Sequence, residues 1–394
     1  MADEIPEGWK ECRVSDVAEV VGGGTPRTDV AEYWNGEIPW ITPRDLSNFK
    51  GRYISRGERN ISKEGLRDSS AIILPKGAIL LSTRAPVGYL AIAKNEVTTN
   101  QGFRSLVPFN STDTVFLFYL LKNNVEYLKS QATGTTFGEL AGSVLKSLTF
   151  LFPPLAEQRA IASVLSSLDD KIDLLHRENQ TLEQIAETLF RQWFVDCDYS
   201  CTISDLIEIQ NGYAFKSKDF KDVGVNGVIK IKNISENIVD IYNCDFIEEL
   251  VANQTDSRFV IKTGDILIAM TGAPGKMGIV PQTERKLWLN QRVGLLKEKY
   301  NGSRFLAYLQ LKSDYGQDYI DNTATGSVQP NISGIGIENC KFPKITEKQI
   351  KEYSEKLLCL YEKVIFNLGQ INTLEKLRDT LLPKLMSGEV RVMV

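Results

Sequence analysis

The chain has 394 residues, of which 42% are hydrophobic and 24% charged, and a formal net charge of −4. That length exceeds one ordinary domain, and the composition is globular, which excludes the disordered and collagen-like classes. The acidic balance argues against a strongly basic nucleic-acid binder acting alone, although local charge clusters outweigh the total at any one surface.

The opening stretch MADEIPEGWKEC has no apolar core of the signal-peptide kind, and no uninterrupted apolar run approaches membrane-spanning length. A soluble, unsecreted, cytoplasmic chain is expected. The six cysteines are scattered at 12, 197, 201, 244, 340 and 359, and the one histidine, His176, lies inside a helical stretch. Reduced thiols are therefore expected, without a disulfide framework or a structural metal site.

In chain order, residues 1–152 read as one globular unit. Gly22-Gly23-Gly24-Thr25-Pro26 and Asn35-Gly36 are turns. Ile38–Ile41, Ala71–Leu74, Ala78–Ser82, Tyr89–Ala93 and Ser105–Pro108 are predicted strands, and Thr114–Ser130 a helix. Residues 153–197 follow as a long helix. Its seam runs Ile161, Leu165, Leu168, Ile172, Leu175, Asn179, Leu182, Ala186, Leu189, Trp193, alternating steps of four and three. About 40 such residues make a rod of roughly 60 Å.

Residues 198–345 predict a second unit, with strands at Val228–Ile231, Phe259–Ile261, Asp265–Met270 and Val293–Leu296 and a helix over Ser303–Tyr319. Residues 346–394 predict a second long helix, with the seam Ile350, Tyr353, Leu357, Leu360, Val364, Asn367, Ile371, Leu374, Arg378, Leu381, Leu385. Each seam has one asparagine in its middle. If Asn179 faces Asn367 in an antiparallel coiled coil, the pair sets the helix register. The alternative is two amphipathic core helices whose asparagines match by accident.

The two halves repeat. Val14-Ser15-Asp16-Val17 returns as Ile203-Ser204-Asp205-Leu206, and Leu74-Pro75-Lys76-Gly77 as Ile261-Lys262-Thr263-Gly264. Asn100-Gln101 returns as Asn290-Gln291, and Ala132-Thr133-Gly134-Thr135 as Ala324-Thr325-Gly326-Ser327. Seven ordered matches at offsets of 187 to 192 establish a tandem duplication. The expected fold is α+β: two duplicated units with mostly antiparallel curved sheets, separated by two long helices, with pseudo-two-fold symmetry. The polar loops also recur. Ile41-Thr42-Pro43-Arg44 aligns with Ile231-Lys232-Asn233-Ile234, and Ser82-Thr83-Arg84-Ala85-Pro86 with Ala269-Met270-Thr271-Gly272-Ala273-Pro274. A common framework with different loop chemistry is what two surfaces reading different ligands require. Side chains of these types bond phosphates and base edges.

Catalytic motifs are missing. Gly22-Gly23-Gly24 completes no dinucleotide fingerprint. Ala273-Pro274-Gly275-Lys276 is half a P-loop, with Met270 where its first glycine belongs and Met277 after the lysine. There is no Asn-Pro-Pro-aromatic tetrapeptide and no Pro-Asp nuclease motif, and His176 reads as a helix-flank residue.

Gly24-Thr25-Pro26, Ile38-Pro39-Trp40-Ile41, Asn100-Gln101, Ala132-Thr133-Gly134 and above all Pro153-Pro154-Leu155-Ala156-Glu157-Gln158-Arg159-Ala160-Ile161 resemble the specificity subunit of a type I restriction–modification system. Thr380-Leu381-Leu382-Pro383-Lys384-Leu385-Met386-Ser387-Gly388-Glu389 resembles the end of that family's distal helix. Pro343-Lys344-Ile345-Thr346-Glu347-Lys348-Gln349 is a weakened second junction.

The resemblance implies a non-catalytic subunit. Two target recognition domains would read the halves of a split double-stranded DNA site. The helices would set the gap and dock two methyltransferase subunits, which bind S-adenosylmethionine and methylate adenine N6, and restriction (translocase) subunits can join. Half-site readers on one DNA face sit about 34 Å apart or a multiple of it, within reach of a rod of roughly 60 Å. The expected DNA contacts are Thr42, Arg44, Thr83, Arg84, Gln101, Thr135 and Thr136 in the first unit, and Lys232, Asn233, Thr271, Gln291, Ser327, Gln329 and Asn331 in the second. No cofactor or metal is expected on this chain. Two rivals remain at this point: a stand-alone DNA-binding regulator, and a coiled-coil scaffold without affinity for nucleic acid.

Overall fold

The computed structural model describes residues 5–84, 86–134, 138–235, 237–326 and 329–392. The chain divides into two compact units, one formed by Met1–Asp173 with Glu375–Val394, the other by Leu174–Leu374. Each unit combines a strand-rich body with part of both long helices.

Among the described residues, the first unit's larger sheet runs in the order Ala18–Gly22, Arg104–Pro108, Ile79–Leu81, Leu90–Ala93, Tyr53–Ile54. A second sheet sets Trp34–Ile41 between Arg59–Ile61 and Thr98–Thr99, and Lys10–Arg13 pairs with Thr149–Phe152. Pairing is antiparallel except between Tyr53–Ile54 and Leu90–Ala93 and between Trp34–Ile41 and Thr98–Thr99. The second unit repeats the plan, with Ile207–Asn211, Val293–Glu298, Ile266–Ala269 and Met277–Ile279 adjacent in one sheet. Its parallel pairs, Asn226–Ile229 with Lys286–Leu289 and Asn237–Val239 with Met277–Ile279, match those of the first unit.

Three sequence expectations are corrected. Each unit has two main sheets, not one. Ala71–Leu74 is not a strand: Leu74 makes one bridge to Val97, and Ile72 and Ile73 stay exposed, so the apolar run there has no ladder. The helix over 114–130 breaks at Asn124, and the one over 303–319 breaks at Ser313. The Ser313 hydroxyl accepts a hydrogen bond from Gly316 N (3.2 Å) and so caps a new helix, Asp314–Thr323.

The long helices span Leu155–Trp193 and Glu347–Ser387. No residue of either predicted seam is exposed. In the first unit Ile161 and Leu165 share a core with Leu382, Leu385 and Met386. In the second, Ala186 and Phe190 pack with Leu357, Tyr361 and Val364. The pairing is antiparallel in both. Within the first unit Asp169 meets Arg378 and Glu157 meets Arg391. Within the second, Trp193 stacks on Tyr353 with ring centroids 4.2 Å apart, and Asn367 Nδ2 donates to Asn179 Oδ1 at 2.9 Å.

The Pro-Leu-Ala-Glu-Gln junction is consumed by the first unit. Glu157 accepts two bonds from the Arg391 guanidinium, at 2.9 and 2.7 Å, and one from Trp9 Nε1 at 3.2 Å. Gln158 accepts from Asp113 N and donates to Pro153 O, both at 2.9 Å. At the second junction Gln349 instead accepts from Thr346 N and the Thr346 hydroxyl, a local cap. Among the described residues no helix is long and apolar enough to cross a membrane.

Candidate nucleic-acid interface

Four backbone bonds gather the polar loops of the first unit. Asn100 N donates to Ile41 O (3.1 Å), Gly24 N to Thr99 O (2.8 Å), Thr83 N to Gly102 O (2.7 Å) and Leu140 N to Thr83 O (3.0 Å). The second unit makes the same four: Asn290 N to Ile229 O (3.2 Å), Tyr213 N to Leu289 O (2.8 Å), Met270 N to Arg292 O (3.1 Å) and Ile332 N to Met270 O (2.9 Å). The last loop closes identically. Thr133 and Glu139 exchange backbone bonds of 3.0 and 2.9 Å, and Thr325 and Asn331 exchange bonds of 2.9 and 2.8 Å. Gly23 and Gly212 are required here, because a Cβ would fall 2.0 Å from Asn100 O and 2.1 Å from Asn290 O respectively.

These bonds correct one repeat register. Ile41 corresponds to Ile229, not Ile231, so Thr42 matches Lys230, Arg44 matches Lys232 and Asp45 matches Asn233. The caps agree: Asp45 Oδ2 accepts from Thr42 N at 2.7 Å, and Asn233 Oδ1 from Lys230 N at 3.0 Å. A two-residue slip preserves strand alternation, so the apolar pattern cannot detect it.

In the first unit the Thr42 hydroxyl donates to Asp45 Oδ2 (2.7 Å). Arg44 projects into solvent, 3.9 Å from Glu58. Gln101 is exposed and accepts from the Thr25 hydroxyl. Arg84 Nη2 lies 2.9 Å from Glu139, which also meets Arg104 Nη2 at 3.6 Å. In the second unit Gln291, Gln329 and Asn331 are exposed, and the Thr271 hydroxyl donates to Asn331 Oδ1 at 2.7 Å. Lys232 Nζ pairs with Asp245 at 2.9 Å and Lys230 Nζ with the same carboxylate at 2.6 Å. Burial works against the Asp245 charge, but the two lysine hydrogen bonds outweigh it and hold the carboxyl below its ordinary range.

Two expected contacts point inward. Thr83 is buried with its hydroxyl on Gly102 O, and buried Asn233 donates to Asn243 O at 2.9 Å, so neither offers its side chain to a ligand. Thr135, Thr136 and Ser327 lie outside the described residues. Arg104, Glu139 and Lys230 were not anticipated. Extending the Ala-Thr-Gly repeat at its offset of 192 would have found Glu139 opposite Asn331. Among the described residues no cluster of three His, Cys, Asp or Glu side chains could hold a metal ion.

The sequence matches the family described as the type I restriction modification DNA specificity domain twice, over residues 6–184 and 199–357. It is 34% identical to the type I restriction enzyme MjaIX specificity subunit of Methanocaldococcus jannaschii, across 99% of this chain and 95% of that one. It is 24% identical to the HindI specificity subunit of Haemophilus influenzae, across 97% and 99%. The crystal structure of a type I restriction–modification S subunit from M. genitalium has the same fold, with a TM-score of 0.64 at 17% identity, covering 100% of this chain and 98% of that one. Two matched loop clusters on a duplicated framework, the paired helices and these relatives agree: the chain belongs to the specificity subunits of type I restriction–modification systems, their non-catalytic components.

Proposed function

We propose that the chain selects a bipartite double-stranded DNA site, each unit reading one half, and docks two methyltransferase subunits that carry S-adenosylmethionine and methylate adenine N6. Restriction subunits join the same assembly, in the cytoplasm where DNA is met. The observation that carries this reading is the matched loop cluster: five backbone links recur in both units while the side chains they present differ. Identical framework with different polar chemistry suits two readers of different short sequences.

Two docking faces are supported by a second recurrence. The central helix leaves Leu174 and Ile185 exposed, and the distal helix leaves Phe366 and Leu377 exposed. Leu174 and Phe366 are repeat equivalents at an offset of 192, as are Ile185 and Leu377. Residues 11 apart return to nearly one face of a helix, about three turns on. Single exposed apolar residues are ordinary, so the support lies in their recurrence at repeat-equivalent places, which we read as protein contact. The net charge of −4 fits a reader whose partners supply much of the phosphate contact.

Selection from random duplexes by the chain mixed with its methyltransferase subunits tests the proposal. The expected product is two short fixed blocks with a constant gap. One uninterrupted motif, or none, would overturn paired half-site reading.

A further inference from the structure

We infer that the pairs Arg84–Glu139 and Thr271–Asn331 are the base-discriminating positions of the two units, the first selecting a G·C pair and the second an A·T pair. This rests on the DNA-reading role proposed above and adds which residues choose which base.

The two pairs occupy one backbone geometry. Glu139 bridges both Arg84 and Thr133, and Asn331 bridges both Thr271 and Thr325. Gln101 and Gln291, at matched places, are the same residue, so they cannot make the units differ. The bridged pair does differ, and in a specific way: the reader and its support exchange places.

In the first unit the support is Glu139. Its Oε2 holds Arg84 and its Oε1 holds Arg104, so both oxygens are engaged by cations. Arg84 is 48% exposed by side chain and only its Nη2 is used in that contact. A guanidinium has five N–H donors in a planar fork. The remaining donors form the two-pronged group that pairs with guanine O6 and N7. Glu139 is thus a positioning residue that fixes the plane of the fork.

In the second unit the support is Thr271, whose hydroxyl donates to Asn331 Oδ1. That bond orients the amide of this exposed residue and does not use the second lone pair of Oδ1 or the Nδ2 donors. An amide offering one acceptor and one donor side by side complements adenine N6 and N7. Gly294 stands where the first unit has Arg104, so no second cation of that kind competes for the position.

The test is the duplex selection above, run on the wild-type complex, on Arg84→Thr with Glu139→Asn, on Glu139→Gln alone, and on Asn331→Ala. In the double variant one position of the first block should change from G to A, while the second block stays as it was and reports an intact protein. Glu139→Gln should lower the preference for G at that position by about tenfold, the scale of one bidentate contact. Asn331→Ala should lose A at one position of the second block only. Unchanged base frequencies in all variants, or a uniform loss across a block in the double variant or Glu139→Gln, would overturn the inference, since support or phosphate contact alone moves no single base. A wild-type complex that selects no split motif would instead overturn the DNA-reading role itself.

Discussion

The carboxylate of Asp169 accepts hydrogen bonds from the Tyr119 hydroxyl and from Arg378 Nη1 (2.7 Å), and Arg52 Nη1 lies 3.8 Å away. Burial raises its pKa, but the bonds from Tyr119 and Arg378 outweigh burial and hold it below the ordinary range. Arg378 was the one charged member of the distal seam, and this carboxylate is what makes it tolerable there. The same place in the second unit holds no ion pair of this kind. Tyr361 replaces Asp169 at an offset of 192, Ala186 replaces Arg378, and Phe305 stacks on Tyr361 at 4.3 Å. A depressed pKa gives stability that is present above the unfolded value, near 3.9, and lost as pH falls through the folded one. Asp169→Asn leaves Arg52 and Arg378 without their shared anion. Arg52 keeps Asp170 and Arg378 keeps Asp379, so the expected cost to the first unit at pH 7 is about 2 kcal/mol, below the ~3–5 kcal/mol of a buried charge left alone, and it shrinks toward zero below the folded pKa. Urea unfolding at pH 7 and at steps of falling pH measures both. Equal midpoints for variant and wild type at pH 7 would show that the network contributes nothing.

The long helices were the most legible elements in the sequence, because a heptad repeat is a local property read directly from spacing. The buried Asn179–Asn367 contact also follows from that spacing. The sheets were less legible: strands of two to four residues such as Thr98–Thr99 and Met277–Ile279 owe their existence to distant partners, not to their own pattern. The candidate site was legible as a set of loops. It was not legible in which side chains face out, because Thr83 and Asn233 are polar residues that the fold itself uses. The asparagine pair makes an element-scale prediction. Asn179 Nδ2 and Asn367 Oδ1 are buried without a hydrogen-bond partner, a cost of about 1–3 kcal/mol for each such group. Replacing both by leucine should therefore raise the urea midpoint of the second unit. It should also loosen register, since a leucine seam matches itself at every heptad step. Cysteine crosslinking of the position pair 175 and 371 against pairs one heptad away reads this: wild type should give only the native crosslink, the double leucine variant more than one. A single crosslink in both would mean that packing of the neighbouring residues, such as Trp193 on Tyr353, already sets the register.

Duplication gives the chain two similar strand-rich bodies and two long helices, which the proposed function makes a pair of readers. On the proposed reading the paired helices are the spacer, so gap length and base identity are separable: the first belongs to helix length, the second to the loop clusters. Removing one heptad in register, residues 172–178 from the central helix and 368–374 from the distal one, keeps the alternation of steps in both seams. It also retains Asn179 and Asn367. Seven residues at 1.5 Å each shorten a helix by about 10.5 Å. With base pairs stacked at about 3.4 Å, the gap between the selected blocks should fall by about three base pairs. The deletion rotates nothing in the seam, because seven residues are close to two full turns of an α-helix, and the turn of about 100° that three base pairs carry is taken up by twist in the DNA between the blocks. The blocks should therefore keep their sequence and change only their separation. Loss of both blocks would mean that the deleted segment supports the folding of the units and not merely their spacing. An unchanged gap with intact blocks would mean that partner subunits, not these helices, measure the DNA.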